Sequence, residues 1–335
     1  MTTHLLLLAA GFLLLYFGAE WLVRGSANLA RSLGISAVVV GLTVVAFGTS
    51  APELVVSVIS SLQDKSMIAV GNVVGSNICN IALVLGSAAV LMPITADRSV
   101  VRRDIPLMLA ISLYLLLLSL DSEITRFEGG SLFAGVIAYT VFNYYISIRE
   151  NRAAAAARVL GADPGSAGPS AAAEAEEIRP VNSRPRQIFL IIAGIAGVVI
   201  GADTMIDSAV TIMKSFGVSE KFIGLTVVAF GTSLPELATS VVAAMKKQMD
   251  ISIGNLVGSN VFNILSVIGA AGLVRPIPIP GGFVESGLII DYAVMMGICI
   301  LPWAMMVRGY TVKRWGGIVL LCCYAGYLAY LIATG

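Results

Sequence analysis

The sequence predicts an all-α integral membrane protein with ten transmembrane helices, arranged as two inverted five-helix repeats. The prediction depends on the composition, the number of apolar runs and one repeated segment. Of the 335 residues, 57% are hydrophobic and 12% are charged, and the mean hydropathy is +0.91. A globular protein of this length needs more polar residues to cover its surface, so we expect the chain to lie in a lipid bilayer.

Apolar runs that can cross the bilayer, which takes about 20 helical residues, occur ten times. They lie at 5–23, 35–61, 67–92, 105–120, 129–148, 187–210, 222–245, 251–274, 287–306 and 315–333. Between the fifth and sixth runs the composition changes to Ala, Gly, Pro, Ser, Glu and Arg, which is typical of a flexible linker. The predicted organisation is a first repeat at 1–150, a linker at 151–186 and a second repeat at 187–335.

One segment occurs twice without change. The ten residues GLTVVAFGTS at Gly41–Ser50 recur at Gly224–Ser233, an offset of 183 positions. At the same offset, GNVVGSN at 71–77 corresponds to GNLVGSN at 254–260. The chain therefore contains one structural unit used twice.

The basic residues predict that the two units are inverted. When Lys and Arg are assigned to alternate sides of the ten spans, sixteen of the 21 fall on the side of the central loop. The positive-inside rule then places this loop in the cytoplasm and both termini outside. Five spans in each unit give the units opposite orientations, an architecture typical of secondary transporters with a site near the midplane.

The second span contains a proline and a carboxylate in an otherwise apolar run. Pro52 lacks an amide hydrogen, so the helix should kink or unwind before it and free carbonyl oxygens around Ala46 to Thr49. Thr49 and Ser50 lie four and three residues before Glu53, so their hydroxyls share a helix face with its carboxylate. A carboxylate at this depth costs about 2.5–3.5 kcal/mol to insert and indicates function.

The seventh span repeats this arrangement, and the third and eighth spans carry stripes of amides and hydroxyls. In the seventh span, Thr232 and Ser233 precede Pro235 and Glu236. The two stripes consist of Asn72, Ser76, Asn77 and Asn80, and of Asn255, Ser259, Asn260 and Asn263.

At the end of the first span, Glu20 and Arg24 lie four residues apart and can form an interfacial ion pair. The residue equivalent to Glu20 is Asp203. We interpret both acidic residues as boundary residues of their spans.

Together the two units supply two carboxylates, hydroxyls, amides and carbonyls, which are all oxygen ligands. Such ligands, without His or Cys, select calcium, sodium and related hard cations. Two carboxylates match the charge of one divalent cation, which favours calcium. No G-x-x-x-x-G-K-[ST] motif occurs, so we expect transport without ATP, and neither an enzyme nor a cofactor.

The motifs GTSAPELVVS and GTSLPELATS, each followed by a GN-x-VGSN segment, resemble the two α-repeats of the cation/calcium exchanger superfamily, sodium/calcium exchanger branch. The resemblance implies exchange of sodium for calcium by alternating access in a prokaryotic cell membrane, with no nucleic-acid partner. It also implies that helices two and seven are discontinuous and that helices one and six slide across the core.

The resemblance further implies a ligand set for each ion. For calcium the ligands are Glu53, Glu236 and the carbonyl oxygens of Thr49 and Thr232. For sodium the same glutamates act with Ser50, Ser76, Ser233, Ser259 and the carbonyl oxygens of Ala46 and Ala229. Asn80 and Asn263 line the middle of the site, and Asn72 and Asn255 belong to its amide stripes.

Position 263 carries Asp in some family members, including potassium-dependent exchangers, and Asn in this chain. Potassium co-transport is therefore not expected. Three alternatives stay open: a proton/calcium antiporter of the same superfamily, a passive cation channel and a transporter of small organic solutes.

Overall fold

The computed structural model describes residues 2–159, 181, 183–217 and 229–334. These residues form helices that we number by membrane span. In chain order they are α1 (Thr2–Leu33), α2a (Ala37–Thr49), α2b (Ala51–Leu62), α3 (Ser66–Leu91), α4 (Ile105–Ser119), α5 (Arg126–Val159), α6 (Arg184–Ser215), α7a (Ala229–Gly231), α7b (Leu234–Met245), α8 (Met249–Val274), α9 (Leu288–Met306) and α10 (Arg314–Thr334).

Each predicted span corresponds to one numbered helix. Within the described residues, seven single helices are long and apolar enough to cross a membrane, and α2a with α2b passes the same test as a bent pair. The remaining two spans are α4, which has 15 residues, and α7, whose predicted beginning lies outside the described residues. The chain is thus a multi-pass membrane protein.

The helix ends follow local sequence signals. Gly34 has a φ of 64° just after α1, a left-handed conformation that glycine adopts without strain. The hydroxyl of Ser36 then accepts a hydrogen bond from the Val39 amide at 3.3 Å and caps α2a. Prolines occupy the first turns of α2b, α6 and α7b, where a missing amide hydrogen costs nothing.

Three helices extend beyond their predicted bounds. The helices α1 and α6 have 32 residues each and extend beyond the runs predicted at 5–23 and 187–210. Helix α5 continues to Val159, inside the segment predicted as a linker. Residues 160–180 of that segment lie outside the described part of the chain.

The centre of the protein is formed by α3 and α8. In the most apolar stretch of each helix, 72% of the residues of α3 and 83% of those of α8 are buried, against 17% for α10. A buried helix need not be apolar when its polar groups find partners within the protein. These two helices carry the predicted amide stripes, so the stripes lie in the core.

Helices α1 and α6 pack against each other backbone to backbone. A Cβ atom added at Gly18 would lie 2.7 Å from the carbonyl carbon of Gly197. A Cβ atom added at Gly194 would lie 2.5 Å from the amide nitrogen of Leu22. Only glycine permits this approach, as in small-residue interfaces between membrane helices. The pair α1 and α6 is therefore joined along its length.

Two short sheets connect the two halves of the chain. Strand β1 (Ile94–Thr95) pairs antiparallel with β4 (Thr311–Val312), and β2 (Glu123–Ile124) pairs antiparallel with β3 (Ile277–Pro278). Each sheet thus joins one strand of the first half to one of the second. The first sheet joins the third and ninth connections between spans, and the second sheet joins the fourth and eighth. In the predicted topology, the two connections joined by each sheet lie on the same side of the membrane.

Candidate cation-binding site

Helix α2 is interrupted at Ser50, which has φ −84° and ψ 8°. The axes of α2a and α2b differ by 48°. Pro52 lies in the first turn of α2b and has no amide hydrogen, so the carbonyl of Gly48 loses the donor that residue 52 would supply in a regular helix. The interruption predicted from Pro52 is present.

Helix α7 is interrupted at the equivalent position. Thr232 and Ser233 separate α7a from α7b, and Ser233 has φ −90° and ψ 4°. Pro235 lies in the first turn of α7b, as Pro52 lies in that of α2b. The same sequence thus produces the same break in both repeats.

The carboxylates of Glu53 and Glu236 lie directly after these breaks. Both glutamates are in the first turn of their half-helix and both are 0% exposed. The positive end of a helix dipole stabilises a carboxylate there. Ser50, three residues before Glu53, donates a hydrogen bond to Glu236, so the two glutamates belong to one region. Two buried carboxylates in one region leave a negative charge that a cation would neutralise.

Hydroxyl groups from both repeats contact Glu236. The hydroxyl of Ser50 donates to Oε1 of Glu236 at 3.0 Å, and the hydroxyl of Ser259 lies 3.4 Å from the same oxygen. Because Ser50 belongs to the first repeat, its bond joins the two halves at the site. Within the described residues, Oε2 of Glu236 and both carboxylate oxygens of Glu53 have no hydrogen-bond partner. Among the described residues, these three carboxylate oxygens are thus candidate ligands for a cation.

The hydroxyl of Thr49 is shared between the repeats. It donates to Oδ1 of Asn255 at 3.2 Å, and it lies 3.5 Å from the hydroxyl of Ser259.

One expectation is wrong, because the break in α2 does not free the carbonyl of Ala46. It accepts a hydrogen bond from the Ser50 amide at 3.0 Å, and the Thr49 hydroxyl lies 3.4 Å from it.

The first amide of each stripe holds the second half of the broken helix. Nδ2 of Asn72 donates to the backbone carbonyl of Glu53 at 3.2 Å and to the hydroxyl of Ser57 at 2.9 Å. Nδ2 of Asn255 likewise donates to the hydroxyl of Ser240 at 3.0 Å. Sequence reasoning missed these two serines, Ser57 and Ser240, although each is the last residue of its ten-residue motif, GTSAPELVVS or GTSLPELATS.

Four asparagines form a symmetric network between α3 and α8. Nδ2 of Asn77 donates to the carbonyl of Asn260 at 3.3 Å, and Nδ2 of Asn260 donates to the carbonyl of Asn77 at 3.5 Å. Nδ2 of Asn80 donates to Oδ1 of Asn260 at 3.2 Å, and Nδ2 of Asn263 donates to Oδ1 of Asn77 at 3.1 Å. All four side chains are 0% exposed.

This network leaves two oxygen atoms without partners among the described residues, Oδ1 of Asn80 and Oδ1 of Asn263. A π-helical turn begins at each of these residues, over Asn80–Leu85 and Asn263–Ile268. Such turns are frequent at functional sites, because they redirect side chains without ending the helix. The two amide oxygens are thus uncharged candidate ligands for a cation.

The remaining predicted ligands are placed as follows. Ser76 and Ser233 are buried, and the hydroxyl of Ser233 has no partner within the described residues. Thr232 is half-buried, and the side chain of Ala229 lies outside what the structure describes. Among the described residues of this candidate site, the acidic groups are the two glutamates and the other candidate ligands are neutral oxygens.

The chain is similar in sequence and structure to sodium/calcium exchangers. The profile of the family described as sodium/calcium exchanger protein matches residues 3–145 and 186–333. The sodium/calcium exchanger MaX1 of Methanosarcina acetivorans is 31% identical over 354 residues, which cover 99% of each chain. The inner membrane protein YrbG of Escherichia coli is 35% identical over 295 residues, which cover 88% of this chain and 86% of YrbG.

A solved structure of the sodium-calcium exchanger NCX_Mj, soaked with zero Na⁺ and Ca²⁺, superposes with a TM-score of 0.80 at 30% identity and covers 98% of each chain. The predicted fold of ten helices in two inverted repeats is thereby confirmed, as is the predicted resemblance. The chain belongs to the sodium/calcium exchanger protein family, and its role is that of a cation/calcium antiporter.

Proposed function

We propose that this protein exchanges sodium for calcium across the cell membrane by alternating access, with calcium bound between Glu53 and Glu236. The observation that carries the proposal is the meeting of these two fully buried carboxylates, one from each repeat. The bond from Ser50 to Glu236 holds them in one site.

The charge of the site supports calcium as one substrate. Two carboxylates carry two negative charges in a medium of low dielectric, and one calcium ion neutralises both. Calcium accepts six to eight oxygen ligands with flexible geometry, whereas magnesium demands an octahedral arrangement. The carbonyl oxygens of Thr49 and Thr232 would complete the calcium site.

Sodium would occupy the same site in the other half of the cycle. It would share the two glutamates and add hydroxyl and carbonyl oxygens, from Ser50, Ser76, Ser233, Ser259 and the carbonyls of Ala46 and Ala229. Because the carbonyl of Ala46 accepts a hydrogen bond from the Ser50 amide, sodium would have to bind the second lone pair of this oxygen. Asn80 and Asn263 add no charge, which is consistent with exchange that does not use potassium.

A proton/calcium antiporter is the second candidate, because two protons neutralise the pair of carboxylates as one calcium ion does. The test is calcium-45 uptake into proteoliposomes loaded with sodium, with potassium or with acid. We expect uptake from the sodium-loaded vesicles and little from the others. Uptake driven by acid alone would replace sodium by protons, and uptake independent of any opposing gradient would indicate a channel.

The proposed orientation has both termini outside the cell and the central loop in the cytoplasm. It is supported by the sixteen basic residues on the side of the loop. We expect a reporter inserted at 160–175 to be read as cytoplasmic and a reporter fused after Gly335 to be read as external. A cytoplasmic C-terminus would contradict the orientation.

A further inference from the structure

An ion pair connects α1 to the end of α7b. Nζ of Lys246 donates to Oε1 of Glu20 at 2.8 Å, and the two side chains are 35% and 31% exposed. The sequence suggested Arg24 as the partner of Glu20, but the structure pairs Glu20 with the opposite repeat. A cavity of about 340 Å³ beside the ion pair is lined by Tyr16, Val242, Met245 and Lys246.

The two repeats are not equivalent around this contact. The offset of 183 relates Glu20 to Asp203 and Lys246 to Gln63. Helix α1 packs along α7b, whereas α6 makes little contact with the equivalent helix, α2b. The structure is therefore closed at the face of the ion pair and parted at the opposite face.

The parted face has different side chains. Asp203 is exposed on α6. Gln63 accepts a hydrogen bond from Nζ of Lys65 at 3.0 Å, in an exposed turn. At the equivalent positions this face therefore has a carboxylate and an amide, where the closed face has a carboxylate and an ammonium group.

We propose that Glu20 and Lys246 are positioning residues that act as a latch on one face of the transporter and bias it toward the conformation described above. The inference rests on the proposed alternating access. In an inverted-repeat transporter the opposite state arises when one repeat moves against the other. In that state α1 parts from α7b, so the ion pair breaks, and α6 closes on α2b, where the equivalent positions carry Asp203 and Gln63.

Lys246→Gln tests the latch, because it makes the two faces chemically alike at this position. We expect the ratio of the two states to shift by about 1.5- to 5-fold toward the opposite state, the range for a partly exposed ion pair. The ratio is measured by double electron–electron resonance between spin labels at Leu33 on α1 and Arg98 beside β1. The labels are placed in full-length protein in proteoliposomes, with the exposed Cys322 and Cys323 replaced by serine in every sample.

Two further variants make the test specific. Gln63→Lys places an ammonium group opposite Asp203, so we expect the same shift toward the opposite state. The exchange of charges in Glu20→Lys with Lys246→Glu keeps the pair and should restore the original ratio. Unchanged distances in Lys246→Gln, or no recovery in the double variant, would overturn the latch.

The distances are compared at one fixed ion composition for every variant, and their measurement does not require transport. If Lys246→Gln shifts the distances although the protein does not exchange sodium for calcium, the latch is supported and only the proposed function is contradicted.

Discussion

Replacement of Glu53 or Glu236 by glutamine is expected to abolish sodium-driven calcium uptake, with a loss of about two orders of magnitude or more. Each glutamate supplies half of the charge that faces the cation, and truncation of one member of a buried charge pair costs about 2–5 kcal/mol. Each 1.4 kcal/mol corresponds to about a tenfold change in affinity. The measurement is calcium-45 uptake into sodium-loaded proteoliposomes at subsaturating calcium.

The variants should still fold, because a neutral side chain is cheaper to insert into a bilayer than a carboxylate. Size-exclusion chromatography of the purified variants checks this point. Glu285→Gln is the matched control, since Glu285 is exposed in the connection before α9, and its uptake should equal that of the wild type. Near-normal uptake by either site variant would show that the ion binds elsewhere.

Gly194→Val is expected to disrupt the contact between α1 and α6 and to abolish transport. Its Cβ would lie 2.5 Å from the backbone nitrogen of Leu22 and 2.8 Å from the Cα of the same residue. Backbone atoms cannot rotate away, so the helices must separate. Overpacking of this kind typically costs about 1–3 kcal/mol. The measurement is the thermal unfolding midpoint in detergent together with calcium-45 uptake.

Gly326→Val is the control for this substitution. It makes the same chemical change in the middle of α10, where an added Cβ meets no described atom within 4 Å. We expect its unfolding midpoint and its uptake to stay close to the wild-type values. Equal losses in both variants would show that valine is harmful in these helices for a reason other than the contact between α1 and α6.

Much of the site could be predicted because identical residues obey identical local rules. The prolines at 52 and 235 predict the two breaks without knowledge of any neighbour, and each break fixes the place of the glutamate that follows. The stripe formed by Asn72, Ser76 and Asn80 follows from helical periodicity alone. A repeated sequence thus predicts a site built from two equivalent halves.

The features that the sequence did not predict depend on contacts between distant residues. Lys246 and Glu20 are separated by most of the chain, so local spacing favoured Arg24 instead. The hydrogen bond to the carbonyl of Ala46 depends on how far the chain unwinds at Ser50, which composition does not report. The helices α1 and α6 continue past their apolar runs, because a helix does not have to end where the hydrocarbon ends.

The two small sheets limit how the halves of the protein can exist apart. Each sheet takes one strand from each half, and the backbone contact of Gly129 in α5 with Gly272 in α8 joins the halves again. A five-helix half alone would leave both of its strands unpaired and this helix face uncovered. Its complement is a copy inserted with the opposite orientation, so a gene that encoded one half would have to yield both orientations in the same membrane.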